Sequence, residues 1–169
     1  MFQIGQAVVH PAHGPGKIVK IKKLSTLGSG KQYYSVRLLD GSETEIWVPV
    51  QDAQEHGLRT PIKKSRVAEI WRRLRAEAET LPTDHQARYQ VVREKLETGQ
   101  LLSIAEAIRD LSWKDYTVRG LTSEGKRLFD KGIRMLTTEV ALVQGSEPQT
   151  VETKITRILD SKIAKKESE

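Results

Sequence analysis

The chain has 169 residues, a formal charge of +6, 37 % hydrophobic and 5 % aromatic residues, and no cysteine. Without cysteine, disulfides, zinc–thiolate sites and thiol catalysis are excluded, and the basic balance suits a polyanionic partner. No stretch approaches the roughly 18 consecutive apolar residues of a membrane span, and "MFQIGQAVVH" has neither the basic leader nor the apolar core of a signal peptide, so a cytoplasmic protein is expected.

From Met1 to about Thr60 the sequence reads as short strands. "QAVVH" leads into the turn "PAHGPG", after which "KIVKIKKL" alternates Val19 and Ile21 with lysines, the pattern of a half-buried strand. "STLGSG" reads as a turn, and "KQYYSVRLL" is rich in β-branched and aromatic types. Asp40-Gly41 predicts a tight hairpin, followed by a strand in "SETEIWVPV" that Pro49 ends or marks as an edge. Four or five short strands in this length predict a small, strongly twisted barrel.

At Pro61 the period changes to that of helices. "KKSRVAEIWRRLRAEAE" puts Val67, Ile70, Trp71 and Leu74 on one face. "TDHQARYQVVREKLETG" does so with Tyr89, Val92 and Leu96, with Thr83 or Asp84 as cap and Gly99 past its end. "QLLSIAEAIRDLSWKDY" is a third helix, and "LTSEGKRLFDKGIRMLTTEVALV" a fourth, in which Gly125 and Gly132 each cost about 1 kcal/mol relative to alanine. "TVETKITRILDSKIAKK" is the last, from about 148 to 165, with a frayed "KKESE" tail. The expected class is therefore segregated α+β: a small β-barrel over residues 1–60, then an all-helical domain of about five helices over 61–169.

No constellation supports an enzyme. His10 and His13 form an H-x-x-H pair across a proline–glycine turn, but no third ligand can be assigned, so no metal or other cofactor is expected. "LGSGK" is too short for a phosphate cradle, and the carboxylates near Glu77 and Asp84 lie in charged surroundings with nothing apolar to perturb them. The cations cluster: Arg72, Arg73 and Arg75 on the first helix, Arg88 and Arg93 on the second, and Arg119, Lys126 and Arg127 around the start of the fourth. Such a set can hold DNA phosphates without reading sequence; pairing with neighbouring glutamates along each helix is the alternative. Trp47 alternates with glutamate on a strand, as a core residue or as an anchor for a partner.

"IGQAVVHPAHGPGKIVKI", "WVPVQDAQEHGLR", "RYQVVREKLETGQLLSIAEAIRDL" and "RGLTSEGKRLFDKGIRMLTTEVAL" together resemble the CarD/CdnL family of bacterial transcription regulators, in order from about Phe2 to Leu142. The N-terminal part is also similar to the polymerase-interacting module of transcription-repair coupling factors. The resemblance implies a Tudor-like barrel that binds the RNA polymerase β subunit through a sheet edge, with Lys23, Leu24, Trp47 and Val48 as the facing residues. It also implies a helical domain against promoter DNA at the upstream edge of the transcription bubble, stabilising the open complex through minor-groove and phosphate contacts that are mainly not sequence-specific. His85, Arg88, Arg119, Lys126 and Arg127 would face the DNA, in a monomer. The family often has arginine where Leu24 and Trp47 stand, and a wedge tryptophan where this chain has His85. The alternative is a polymerase-binding adaptor whose helices bind another protein and touch DNA little.

Overall fold

A computed structural model describes residues 1–25 and 30–168. The chain forms two compact units, Met1–Pro61 and Ile62–Glu169, the first built on a sheet and the second on helices: a segregated α+β fold.

The first unit is an antiparallel meander in the order β1 (Ala7–His10), β2 (Gly14–Lys23), β3 (Gln32–Leu38) and β4 (Glu45–Pro49). Strict alternation along "KIVKIKKL" would put Ile18 and Ile21 on opposite faces. A register shift between Ile18 and Lys20 resets the phase, so Ile18 is buried and Ile21 packs on the same core. A bulge of this kind bends the strand and raises its twist, which curls a small sheet towards a barrel. Phe2, Val8, Ile18, Tyr34, Val36, Val48, Ala53 and Leu58 fill the interior, and the Phe2 amide donates to Tyr34 Oη at 3.0 Å, tying down the first residues. The turn expected at "STLGSG" falls at residues 26–29, outside the described residues.

The connection at Asp40-Gly41 is wider than the expected tight hairpin. Asp40 Oδ1 accepts from the Ser42 amide at 2.9 Å and its hydroxyl at 2.6 Å, and the loop closes only where the Leu38 amide reaches Thr44 O at 2.9 Å. The aspartate side chain stands in for the backbone of a two-residue turn.

The second unit contains a single 3-10 turn (Lys64–Arg66), then α1 (Val67–Arg75), α2 (His85–Glu97), α3 (Leu101–Val118), α4 (Ser123–Gln144) and α5 (Pro148–Glu167). Val67, Ile70, Trp71 and Leu74 are buried as their spacing requires, beside Val92, Leu96, Ile104, Ile108, Leu136 and Ile155. Two boundaries differ from the sequence reading. Helix α1 stops at Arg75 rather than continuing through Glu79, because donors from elsewhere take its last carbonyls: Arg109 bonds Arg73 O at 3.3 Å and Lys162 bonds the carbonyls of Arg75 and Ala76. The tail expected to fray stays helical to Glu167.

The glycines of α4 are explained by close approach. A Cβ at Gly125 would stand 2.6 Å from Tyr89 Oη and 3.0 Å from ring carbons, and one at Gly132 would run into Ile108. Contact with α2 and α3 is what offsets their low helix propensity. Beneath α3 lies a buried polar cluster. Asp110, 1 % exposed, accepts from Arg109 Nε at 2.8 Å and the Glu79 amide at 2.9 Å through Oδ1, and from Lys95 at 3.2 Å through Oδ2. Burial pulls the Lys95 pKa down, but Asp110, Glu79 and Glu106 outweigh it and hold the ammonium above the usual lysine range. On α4, buried Glu139 accepts from the Ile62 amide at 2.8 Å and fixes the start of the unit.

Candidate functional site

The edges of the sheet are unequal. Along the outside of β1, the Val9 amide donates to Arg59 O at 2.7 Å and the Arg59 amide returns a bond to Val9 O at 3.1 Å. Strand β4 pairs with β3 only, and no other strand covers it among the described residues. An uncovered strand keeps a row of backbone donors and acceptors for another chain.

Alternation along β4 separates the two residues singled out there. Val48 points into the core, 4 % exposed, and offers a partner nothing but backbone. Trp47 points outward, 39 % exposed, paired in register with Ser35. The surface near it is an ordered charge lattice: Glu45 accepts from Ser35 Oγ at 2.8 Å and Arg37 at 2.7 Å, with Lys20 at 3.8 Å. Those hydrogen bonds, Arg37 first, hold the Glu45 carboxyl below the usual range. Lys23 ends β2 opposite Gln32, whose carbonyl accepts from Val50, and the half-buried Leu24 donates to Lys31 O at 3.2 Å. These two therefore lie at and just past the end of the interior strand β2, separated from the β4 edge by β3 and apart from Trp47.

His10, Nδ1 accepting from the Ala12 amide at 3.1 Å, lies against His13 with ring centroids 4.8 Å apart and the rings tilted by 40°. Burial, then the neighbouring His13 and His56, push the His10 pKa down. The pair was legible in the sequence, whereas the third histidine arrives only through the fold. No group of three or more metal-ligating side chains is assembled among the described residues.

The second surface is the start of α2. Asp84 is the cap, accepting from the Ala87 amide at 2.8 Å, and His85 is the first helical residue and exposed. Arg88 is not an outward cation. It is 4 % exposed, with Nε donating to Pro82 O at 3.0 Å and Nη2 to Thr83 O at 2.6 Å. It clamps the loop that carries His85 instead of presenting charge. Nη1 of Arg88 also lies 3.4 Å from His85 Nδ1. Arginine only donates, so a hydrogen bond here draws on the Nδ1 lone pair.

Tyr89 joins this turn to α4. Thr122, the cap of α4, donates to Tyr89 Oη at 2.6 Å and accepts from the Gly125 amide, and Arg93 pairs with Glu124. His85, with its ring centroid 6.2 Å from that of Tyr89, shares a concave surface with Gln90, Arg93 and Glu124. Lys126 and Arg127 follow in the first turns of α4, both exposed. Arg119 is the exposed left-handed C-cap of α3, φ 55°, in a loop held by Asp115 Oδ1 accepting from the Leu121 amide at 2.9 Å. The structure thus brings His85 to the start of α4, withdraws Arg88 behind it, and leaves Arg119 on the neighbouring loop. The linking role of Tyr89 was hidden in a residue whose spacing marks it only as core.

Residues 2–62 match the CarD-like/TRCF RID domain, the RNA polymerase-interacting type, and residues 69–156, just over half of the chain, match the CarD C-terminal domain. The chain belongs to the CarD family of transcription factors. It is 26 % identical over 145 residues to a Bacillus subtilis (strain 168) protein named "Putative transcription factor YdeB", covering 86 % of this chain and 94 % of that one.

Proposed function

We propose that this protein is a non-enzymatic transcription regulator that docks on the RNA polymerase β subunit through β4 and lays the starts of α2 and α4 against promoter DNA at the upstream edge of the bubble, stabilising the open complex. The observation that carries the reading is the uncovered β4 edge with Trp47 turned outward, in a segment that matches an RNA polymerase-interacting domain. A strand added to such an edge gains main-chain hydrogen bonds, and an exposed indole supplies the anchor. Trp47 is outside the core, so Trp47→Ala should fold normally yet lose capture by the β subunit in a pull-down. Undiminished capture by that variant would remove β4 from the docking surface.

On the DNA side, His85 presents a small, exposed ring where the family resemblance puts a tryptophan wedge. A smaller ring recovers less area at an unstacked base step. His85→Trp should therefore lengthen the open-complex lifetime with polymerase bound; an unchanged lifetime with docking intact would take His85 out of the mechanism. The withdrawal of Arg88 into the protein favours a second reading, in which the helical unit binds another protein and touches DNA little. Salt-dependent protection of DNA just upstream of the bubble separates the two, since only the first produces it.

A further inference from the structure

The helical unit carries a second concave basic surface that shares no residue with the one at His85. The end of α1, the middle of α3 and the last turns of α5 enclose a concavity of ≈ 320 Å³. Trp113 forms one wall, only partly buried, with Tyr116 beside it at a centroid distance of 5.3 Å and a tilt of 42°. The exposed cations Arg75 and Lys165 line it, with Glu77 as the carboxylate of the lining. Lys162 sits at the base, its ammonium committed to the carbonyls that end α1. That lysine is held below its usual range first by burial; Glu77 and Asp110 oppose the shift, and Arg109 and Lys166 add to it.

We propose that the groove between α1, α3 and α5 binds a nucleotide unit, with its base against Trp113 and its phosphate held by Arg75 and Lys165. The pairing of features selects the ligand. An acidic peptide would satisfy the cations and leave the indole face bare, and an apolar ligand would strand the cations. A base joined to a phosphate answers both, by the stacking and backbone contact that single-strand binders use. Two sources offer this chemistry, a free nucleotide and a strand with unpaired bases.

The test uses the full chain carrying Lys126→Ala and Arg127→Ala, which removes the cations in the first turns of α4 beside the His85 surface. Fluorescence titration with adenosine diphosphate, a labelled twelve-nucleotide single strand, a duplex of equal length and poly-glutamate distinguishes the cases. Trp113→Leu should weaken the nucleotide-bearing ligand about tenfold or more and leave any duplex binding unchanged. Arg75→Glu with Lys165→Glu should lower the salt slope for the strand by about 0.7 for each phosphate no longer neutralised. Preference for the diphosphate or for the strand identifies the source, and either supports the groove. Equal binding of poly-glutamate, no effect of Trp113→Leu in a protein with unchanged helix content, or no binding of either nucleotide probe overturns it.

Discussion

The two units keep their polar groups in opposite places. In the β unit the ionised side chains form an outer lattice, Lys20, Glu45 and Arg37, over an apolar interior, and the backbone groups left over run along β4. In the helical unit Arg88, Arg109, Asp110 and Glu139 are buried, and each bonds backbone at a helix end or in a loop. Geometry explains the contrast. A helix end exposes its spare carbonyls and amides over a few ångströms, within reach of one side chain, whereas a strand edge spreads them along its length, where only another strand satisfies them. The helical unit therefore closes itself, and the sheet stays open to a partner.

This contrast can be broken most directly at Asp110. Asp110→Ala leaves Arg109 and Lys95 without their shared acceptor, and breaking one side of a buried ion pair costs about 3–5 kcal/mol. Urea unfolding followed by helix circular dichroism should show a loss of that size; a loss under about 1 kcal/mol would mean that the buried charges do not support the unit. Arg88→Ala comes next. It removes charged donors from the Pro82 and Thr83 carbonyls, for which about 1.5–3 kcal/mol is expected, together with faster proteolysis of the loop before His85.

The β unit should respond more to pH than to loss of a surface charge. His10 is held below the ordinary imidazole value, so the unfolded chain takes up its proton at a higher pH than the folded one. Its contribution is full above about 6.5 and is lost as the pH falls from there through the folded value. Melts of wild type and His10→Gln should converge in their pH dependence on the alkaline side and diverge below it; parallel curves would exclude His10 as the origin. The smallest effect is expected for Glu45→Gln, a group at the surface, where ion pairs contribute little. The melting temperature should hardly move, and a large drop would show the outer lattice to be structural.

Much of the fold could be read directly. A change of period at Pro61 separates strands from helices, and the apolar stripe at Val67, Ile70, Trp71 and Leu74 is buried because helix geometry leaves it no other place. What was hidden depended on side chains meeting backbone from distant segments. Nothing local to "RAEAE" says that Arg109 and Lys162 will end α1, since both arrive from other helices. Arg88 looks like every other exposed helical arginine until the loop at Pro82 folds back over it. Trp47 and Val48 are adjacent in sequence, and which one faces out depends on strand register. Of the candidate site, the position of His85 at a capped helix start was legible from "PTDH" alone, and the neighbours it would act with were not.

The bond between Glu139 and the Ile62 amide has a mechanical consequence. It anchors the entry of the chain into the helical unit to the interior of α4, which packs against α2, α3 and α5, and not to a free helix end. A pull on the chain at Pro61 therefore loads a long helix across its packed face, in shear, and the unit resists as one body instead of peeling open turn by turn.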